Sequence, residues 1–326
     1  MRKVIIVLFL AFGTFAHAFY DEELDQLWKS IPDINNPTLQ DYRQIEKYLY
    51  TGKRPYLNLL HEFLLKQKHD VNLFLDRLNR LMGFRFVGSQ NEMPIFEKHS
   101  LNIQEHTKKR CILLFASYNR DYPAKARQIL RELKQNGYSG DVLLRIGGFP
   151  NTQSGGLKLC HVPYAFKIAF LQEARSLGYE EILWLDSAMH PLSDLEGIFT
   201  KIREFGYYLT GVGYLCDNAR FNLIEAAEAL NITKELYYDI PHLAAGIIGL
   251  NLQNPKGIQF IDQWLIETEK VIPNVTWYPD ELSLSVVAWR CNFAPLSWFW
   301  NLAYKEENLL NMQYNPEIHF YLDTLR

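Results

Sequence analysis

The chain has 326 residues, a formal net charge of -3 at pH 7, 48% apolar residues and 22% charged ones, fractions that suit a globular protein and exclude a largely disordered one. No run of about 18 apolar residues occurs, which argues against a multi-span membrane protein. The balance of 34 Lys and Arg against 37 Asp and Glu leaves no basic footprint for nucleic acid.

Arg2 and Lys3 precede an uncharged apolar run from Val4 to Ala16, and Ala16-His17-Ala18 puts small residues where a signal peptidase reads. The pattern predicts a cleaved signal peptide over residues 1–18, a mature start at Phe19 and no stable membrane span after cleavage. An uncleaved anchor or a buried first helix is the alternative. Export places the protein outside the cell, in a periplasm or in a secretory-pathway lumen. There the cysteines at 111, 160, 216 and 291 can pair in three ways or stay as buried thiols. Two sequons, Asn231-Ile232-Thr233 and Asn274-Val275-Thr276, matter only on a eukaryotic secretory route.

Residues 19–105 read as a helical N-terminal region. Val71, Phe74, Leu75, Leu78, Leu81 and Met82 recur at helical spacing, and Gly83 is a natural stop. His61-Glu62 fails as a metalloprotease motif because the second His position is Leu65. Thr51-Gly52-Lys53 fails as a P-loop because its upstream glycine position is Lys47. The region reads as a cap or partner surface without chemistry.

From residue 106 strands and helices alternate. Ile112 to Phe115, Val142 to Leu144, Ile182 to Leu185 and Tyr208 to Val212 read as buried strands. Ala126, Ile129, Leu130 and Leu133 mark a helix ended by Gly137, and Phe166, Phe170, Ala174 and Leu177 one ended by Gly178. Leu195 to Phe205 is a third helix. Alternation of this kind predicts an α/β fold with a parallel or mixed sheet flanked by helices. No GxSxG elbow is present, and Gly211-Val212-Gly213 lacks the third glycine of a dinucleotide fingerprint, since Cys216 stands there.

Candidate chemistry gathers at predicted strand ends, where open α/β sheets bind ligands. After the first strand come Ser117, Tyr118, Asn119 and Arg120: a ring to stack on a base, an amide to read its edge, and a guanidinium for phosphate. Asp121 and Pro123 also suit a plain helix start. After the Ile182 strand comes Asp186, a carboxylate pushed out of the core and suited to a hard divalent cation, with His190 as a further ligand for a manganese-like ion. Lys167 opens a helix against the macrodipole, which a nearby phosphate would explain. His242 to Asn251 reads as a loop entering a core strand.

The segments Ala116-Ser117-Tyr118-Asn119, His161 to Lys167, Ile182 to Ala188 and Ala245 to Leu250 resemble the GT-A class of nucleotide-diphospho-sugar glycosyltransferases, over residues 106–326. The resemblance implies a Rossmann-like GT-A mixed sheet flanked by helices and preceded by the helical N-terminal segment. It implies transfer of a hexose from a nucleoside diphosphate sugar to a hydroxyl of a glycan, lipid or protein acceptor. In that class an Asp-x-Asp motif holds Mn2+ or Mg2+ on the donor diphosphate. Asp186 matches the first Asp, and Ala188 stands in place of the second. By the same resemblance Ser117, Tyr118, Asn119 and Arg120 grip the nucleotide and Lys167 faces the diphosphate. The region of Gly246 lets a pyranose approach the backbone. Asp280 and Glu281 act on acceptor or donor hydroxyls beside a Trp277-Tyr278 stacking surface, and His319 is a late metal ligand. For Asp280 and Glu281 the alternative is an N-cap with an acid in the first turn. Two other readings remain: a catalytically degenerate nucleotide- or glycan-binding protein of the same fold, and a secreted interaction protein acting through its helical N-terminal region.

Overall fold

The computed structural model describes residues 22–50, 62, 85–119, 121–150, 153, 155–276, 278–298, 303–304 and 319–322. The expected signal peptide and the helix expected over 71–82 lie outside the described residues. Two helices come first, α1 (Glu22–Ser30) and α2 (Leu39–Tyr50). Thr38 and Asp41 start α2 with reciprocal bonds: the Thr38 N–H donates to Asp41 Oδ2 at 2.7 Å and the Asp41 N–H to Thr38 Oγ1 at 3.2 Å. This capping-box arrangement satisfies donors that a helix start leaves orphaned. One face of α2 then buries Tyr42, Ile45, Tyr48 and Leu49, the spacing of an amphipathic helix.

The body follows in the order β1 (Ile95–Leu101), β2 (Arg110–Ala116), α3 (Tyr122–Gln135), β3 (Gly140–Ile146), α4 (Phe166–Ser176), β4 (Glu181–Leu185), β5 (Met189–Pro191), α5 (Glu196–Phe205) and β6 (Tyr207–Tyr214). It continues with α6 (Ile224–Ala229), β7 (Pro241–Asn251), α7 (Pro255–Glu269), α8 (Glu281–Arg290), β8 (Ser297–Trp298), β9 (Ala303–Tyr304) and β10 (Phe320–Leu322). Seven strands form one sheet in the order β1-β3-β2-β4-β7-β6-β8, and β5, β10 and β9 form a small second one. Strand β2 runs parallel to β3 and β4, whereas β7 runs antiparallel to both β4 and β6. The fold is therefore α/β with a mixed sheet, as expected.

All seven residues of β2 are buried, because both faces are covered. Cys111, Leu113 and Phe115 join a cluster with Phe170 of α4 and Trp264 of α7, while Ile112, Leu114 and Ala116 join one with Ile129 of α3 and Phe199 of α5. Alternate side chains of a strand point to opposite faces, so one apolar run serves two cores.

Three expectations change. Strand β1 lies within the 19–105 stretch read as helical, and pairs antiparallel with β3 at the sheet edge. Its side chains alternate only between half-buried and exposed, too weak a contrast to read as a strand. Tyr42, Ile45 and Leu49 of α2 belong to the same cluster as β2 and β4, so the N-terminal helices share the core of the body. The stretch 242–251 is not a loop entering a strand: it is the body of β7. The four cysteines are free thiols, three of them buried. Asn274 is buried and donates its amide to the Pro163 carbonyl at 3.0 Å, so of the two sequons the folded surface offers only Asn231. Among the described residues no helix is long and apolar enough to cross a membrane.

Candidate functional site

Strand β4 is apolar and buried up to Leu185; the next residue, Asp186, leaves the sheet at its carboxyl edge. A tight turn holds it there: the Met189 N–H donates to the Asp186 carbonyl at 2.9 Å, and the Asp186 N–H to the Gly246 carbonyl at 2.9 Å. The Trp184 indole donates to Asp186 Oδ1 at 2.8 Å, fixing the carboxylate while leaving its side chain 37% exposed. Gly246 is beside it on β7. A Cβ there would lie 3.7 Å from Asp186 Oδ2 and 3.6 Å from Met189 Sδ, in ordinary van der Waals contact, so Gly246 brings the β7 backbone close to the carboxylate.

Lys167 enters from the first turn of α4. The sequence places its ammonium before a diphosphate; the structure encloses it, with the side chain 2% exposed. Its Nζ donates to the Ala245 carbonyl at 2.8 Å and stands 3.2 Å from Asp186 Oδ1, 3.4 Å from Asp186 Oδ2 and 2.8 Å from Asp280 Oδ2. The contact with Asp280 is close but lies off the hydrogen-bond direction, which leaves Oδ2 without a formal bond. Burial opposes the ammonium's charge, but Asp186 and Asp280 outweigh it and hold the group above the ordinary lysine range.

Asp280 occupies the cap position of α8 without making a side-chain cap bond, so the alternative of a plain N-cap fails for it. Burial pushes its pKa up to about 6, against the pull of Lys167 and with the help of Glu281 and Asp186. Glu281 reaches back to β7. Its Oε2 is 3.0 Å from His242 Nε2, and its Oε1 accepts the Ala245 N–H at 3.4 Å. The other ring nitrogen, His242 Nδ1, is 2.7 Å from the Asn218 amide nitrogen. A proton on Nε2 satisfies both contacts with a neutral ring. Sequence reading missed Asn218 and took His242 only as the start of a loop. A buried histidine between a carboxylate and an amide has no local signature, since its partners lie 39 and 24 residues away.

The nucleotide-grip residues occupy the same sheet edge. Leu114 pairs with Leu185, so Ser117 and Asp186 leave adjacent parallel strands together. Their side chains are more committed than expected. Ser117 is buried. Tyr118 donates from its hydroxyl to the Met93 carbonyl at 2.9 Å, and its ring fills the place of a Cβ at Gly147, a residue with φ +69° that only glycine adopts freely. Asn119 Oδ1 accepts the Arg85 N–H at 2.8 Å. Tyr118 and Asn119 thus tie the 85–94 stretch to the end of β2. Arg120 and Trp277 lie outside the described residues; Tyr278 is half-buried, its ring 6.1 Å from that of His242.

The expected metal ligands are not gathered. His190, buried on β5, turns its Nδ1 to Glu132 of α3 at 2.8 Å. His319 faces the start of α5, its Nδ1 3.4 Å from Ser193 Oγ and its ring against Gly197. Among the described residues no three His, Cys, Asp or Glu side chains form a group that could hold a metal ion. Ala188 offers no side-chain oxygen, and the Lys167 ammonium lies 3.2 and 3.4 Å from the two oxygens of Asp186. Around Asp186 the described residues supply an ammonium where the sequence suggested a divalent ion.

No protein-family model matches the chain, and no curated protein does. Among solved structures it is similar to mouse xyloside xylosyltransferase 1 in its apo form (11% identity, TM-score 0.37), covering 67% of this chain and 98% of that one. It is also similar to the galactosyltransferase LgtC in complex with donor and acceptor sugar analogues (12% identity, TM-score 0.35), over 62% and 78% of the two chains. A third is the glycosyltransferase GlyE of Streptococcus pneumoniae TIGR4 (14% identity, TM-score 0.33), over 64% and 48%. Likenesses of this size carry no argument about activity, which has to come from the residues at the sheet edge.

Proposed function

We propose that the chain is a glycosyltransferase that moves a hexose from a nucleoside diphosphate sugar to an acceptor hydroxyl. The observation that carries this reading is the convergence of Asp186, Asp280 and Glu281 at the carboxyl edge of β2 and β4, beside Gly246 of β7. Fixed carboxylates accept hydrogen bonds from sugar hydroxyls, and the 37% exposed Asp186 is the one presented outward. Glu281, held by His242 and the Ala245 N–H, is the second. Ser117, Tyr118 and Asn119 stand on the neighbouring strand end, ahead of α3, whose positive dipole favours phosphates. Arg120 is the guanidinium assigned to them. Catalysis in this reading comes from orienting donor and acceptor and from stabilising the departing diphosphate at that helix start. Lys167 acts indirectly, by fixing Asp186 and Asp280. An exported chain would do this in a compartment supplied with donor.

Asp186→Ala tests the reading against a panel of nucleotide sugars, with nucleoside diphosphate release as the readout and circular dichroism as the control for folding. Transfer is expected to be lost with the fold retained; full activity in the variant refutes the assignment. A second reading, glycan binding without turnover, is favoured by Ala188 and by the enclosed Lys167. It predicts retention on immobilised oligosaccharide with no nucleotide release from any donor.

A further inference from the structure

We infer that the Lys167 ammonium is the built-in cation of this site, standing where a divalent metal would otherwise bridge the carboxylates, and that the site binds its ligand without one. Four oxygens surround Nζ: the Ala245 carbonyl and Asp280 Oδ2 at 2.8 Å, and Asp186 Oδ1 and Oδ2 at 3.2 and 3.4 Å. They come from three elements, the end of β4, the middle of β7 and the start of α8. That is the way a protein surrounds a hard cation with oxygens, but here the distances are those of an ammonium. The Trp184 indole takes a further lone pair of Asp186 Oδ1.

The lysine has no other place to go. Its side chain is 2% exposed, and Nζ lies 5.6 and 5.7 Å from the ring centres of Tyr164 and Trp184, within cation–π range. A divalent ion on the outward side of Asp186 would stand close to this enclosed ammonium, and like charges at that range repel. The remaining candidates are committed elsewhere, His190 to Glu132 and His319 toward Ser193. The substitution of Ala188 for a second acid fits the same account. A site whose charge is already balanced by Lys167 does not need another carboxylate, which would add to the repulsion around Asp280.

The inference concerns the cation alone, and only its nucleotide arm rests on the transferase reading. The full chain is titrated with MnCl2 while the free-ion electron paramagnetic resonance signal is followed, alone and with uridine or guanosine diphosphate. The expected result is no loss of free signal to the protein and none beyond what the nucleotide itself takes up. Saturable Mn2+ uptake that disappears in Asp186→Asn overturns the inference. A measurement without a variant checks it again. In 15N-lysine-labelled protein the Lys167 ammonium resonance should survive MnCl2 unbroadened, and selective broadening refutes the assignment. Lys167→Met is expected to gain Mn2+ uptake at the vacated carboxylates, and a folded variant that gains none counts against the lysine as the substitute cation. Nucleotide-induced thermal shifts separate the two claims. Shifts indifferent to EDTA support both, and shifts that require Mn2+ overturn the built-in cation while leaving the transferase standing. The absence of any nucleotide shift removes the transferase, and the lysine resonance still decides the cation.

Discussion

Replacing Lys167 with Met removes the ammonium and keeps most of the stem against Tyr164 and Trp184, so the perturbation is mainly electrostatic. In the native protein Asp280 titrates at about 6, above its ordinary 3.8, because burial outweighs the pull of Lys167. A carboxyl raised in this way holds its proton more tightly when folded than when unfolded. Stability therefore falls as the pH rises from the unfolded value to the folded one, and is flat above it. Without Lys167 the folded value moves higher, and the fall continues past pH 6 at about 1.4 kcal/mol per unit. With a folded value of about 6, native Asp280 is half-protonated at pH 6, and its slope should fade by about pH 7. The stability difference between native and variant should therefore grow by about 2 kcal/mol between pH 6 and pH 8. Urea unfolding followed by tryptophan fluorescence at pH 6, 7 and 8 measures it. A difference that stays constant over this range refutes the reasoning, because it would mean that Asp280 does not depend on Lys167 for its charge.

Three further substitutions separate architecture from the site. Gly246→Ala places a methyl in ordinary contact, 3.6 Å from Met189 Sδ and 3.7 Å from Asp186 Oδ2, so the melting temperature should hold while the KM for the sugar substrate rises; a large thermal loss or an unchanged KM contradicts a sugar seated against this glycine. Trp184→Phe deletes the N–H donated to Asp186 and leaves a cavity where the larger indole was buried, which should cost about 2 to 4 kcal/mol in urea unfolding and lower turnover by freeing the carboxylate. Arg110→Met, at the opposite edge of the sheet, removes a 1% exposed guanidinium 3.0 Å from Glu181 and 2.7 Å from Glu196. Glu181 and Glu196 keep Arg203, and Glu196 is 43% exposed, so stability should drop by about 1 to 2 kcal/mol, with activity per folded molecule unchanged.

Much of the site's address was legible because it depends on local pattern. An apolar run followed by an acid, as in Ile182 to Asp186, forces a strand and then a carboxylate at its end, whatever the rest of the chain does. The same holds for Ser117 after β2 and for the helices ended by Gly137 and Gly178, whose φ values of +81° and +84° suit glycine. Asp280 and Glu281 were legible as residues of interest, but the choice between cap and site was not. A capping acid and a paired acid look the same in one dimension.

The sequence by itself determined an α/β chain, the positions of its central strands and helices, and the presence of Asp186 at a strand end, since these follow from apolar periodicity and turn chemistry over short windows. Only the tertiary structure decided what Asp186 faces. The antiparallel placement of β7 beside β4 carries Ala245, Gly246 and His242 to it, and α8 then brings Asp280 and Glu281. The bond from Lys167 to Ala245 spans 78 residues, and no local window specifies which strand of a mixed sheet lies next to which. For that reason the lysine expected to meet phosphate is enclosed by carboxylates, and the histidines expected at a metal turn to Glu132 and Ser193 instead.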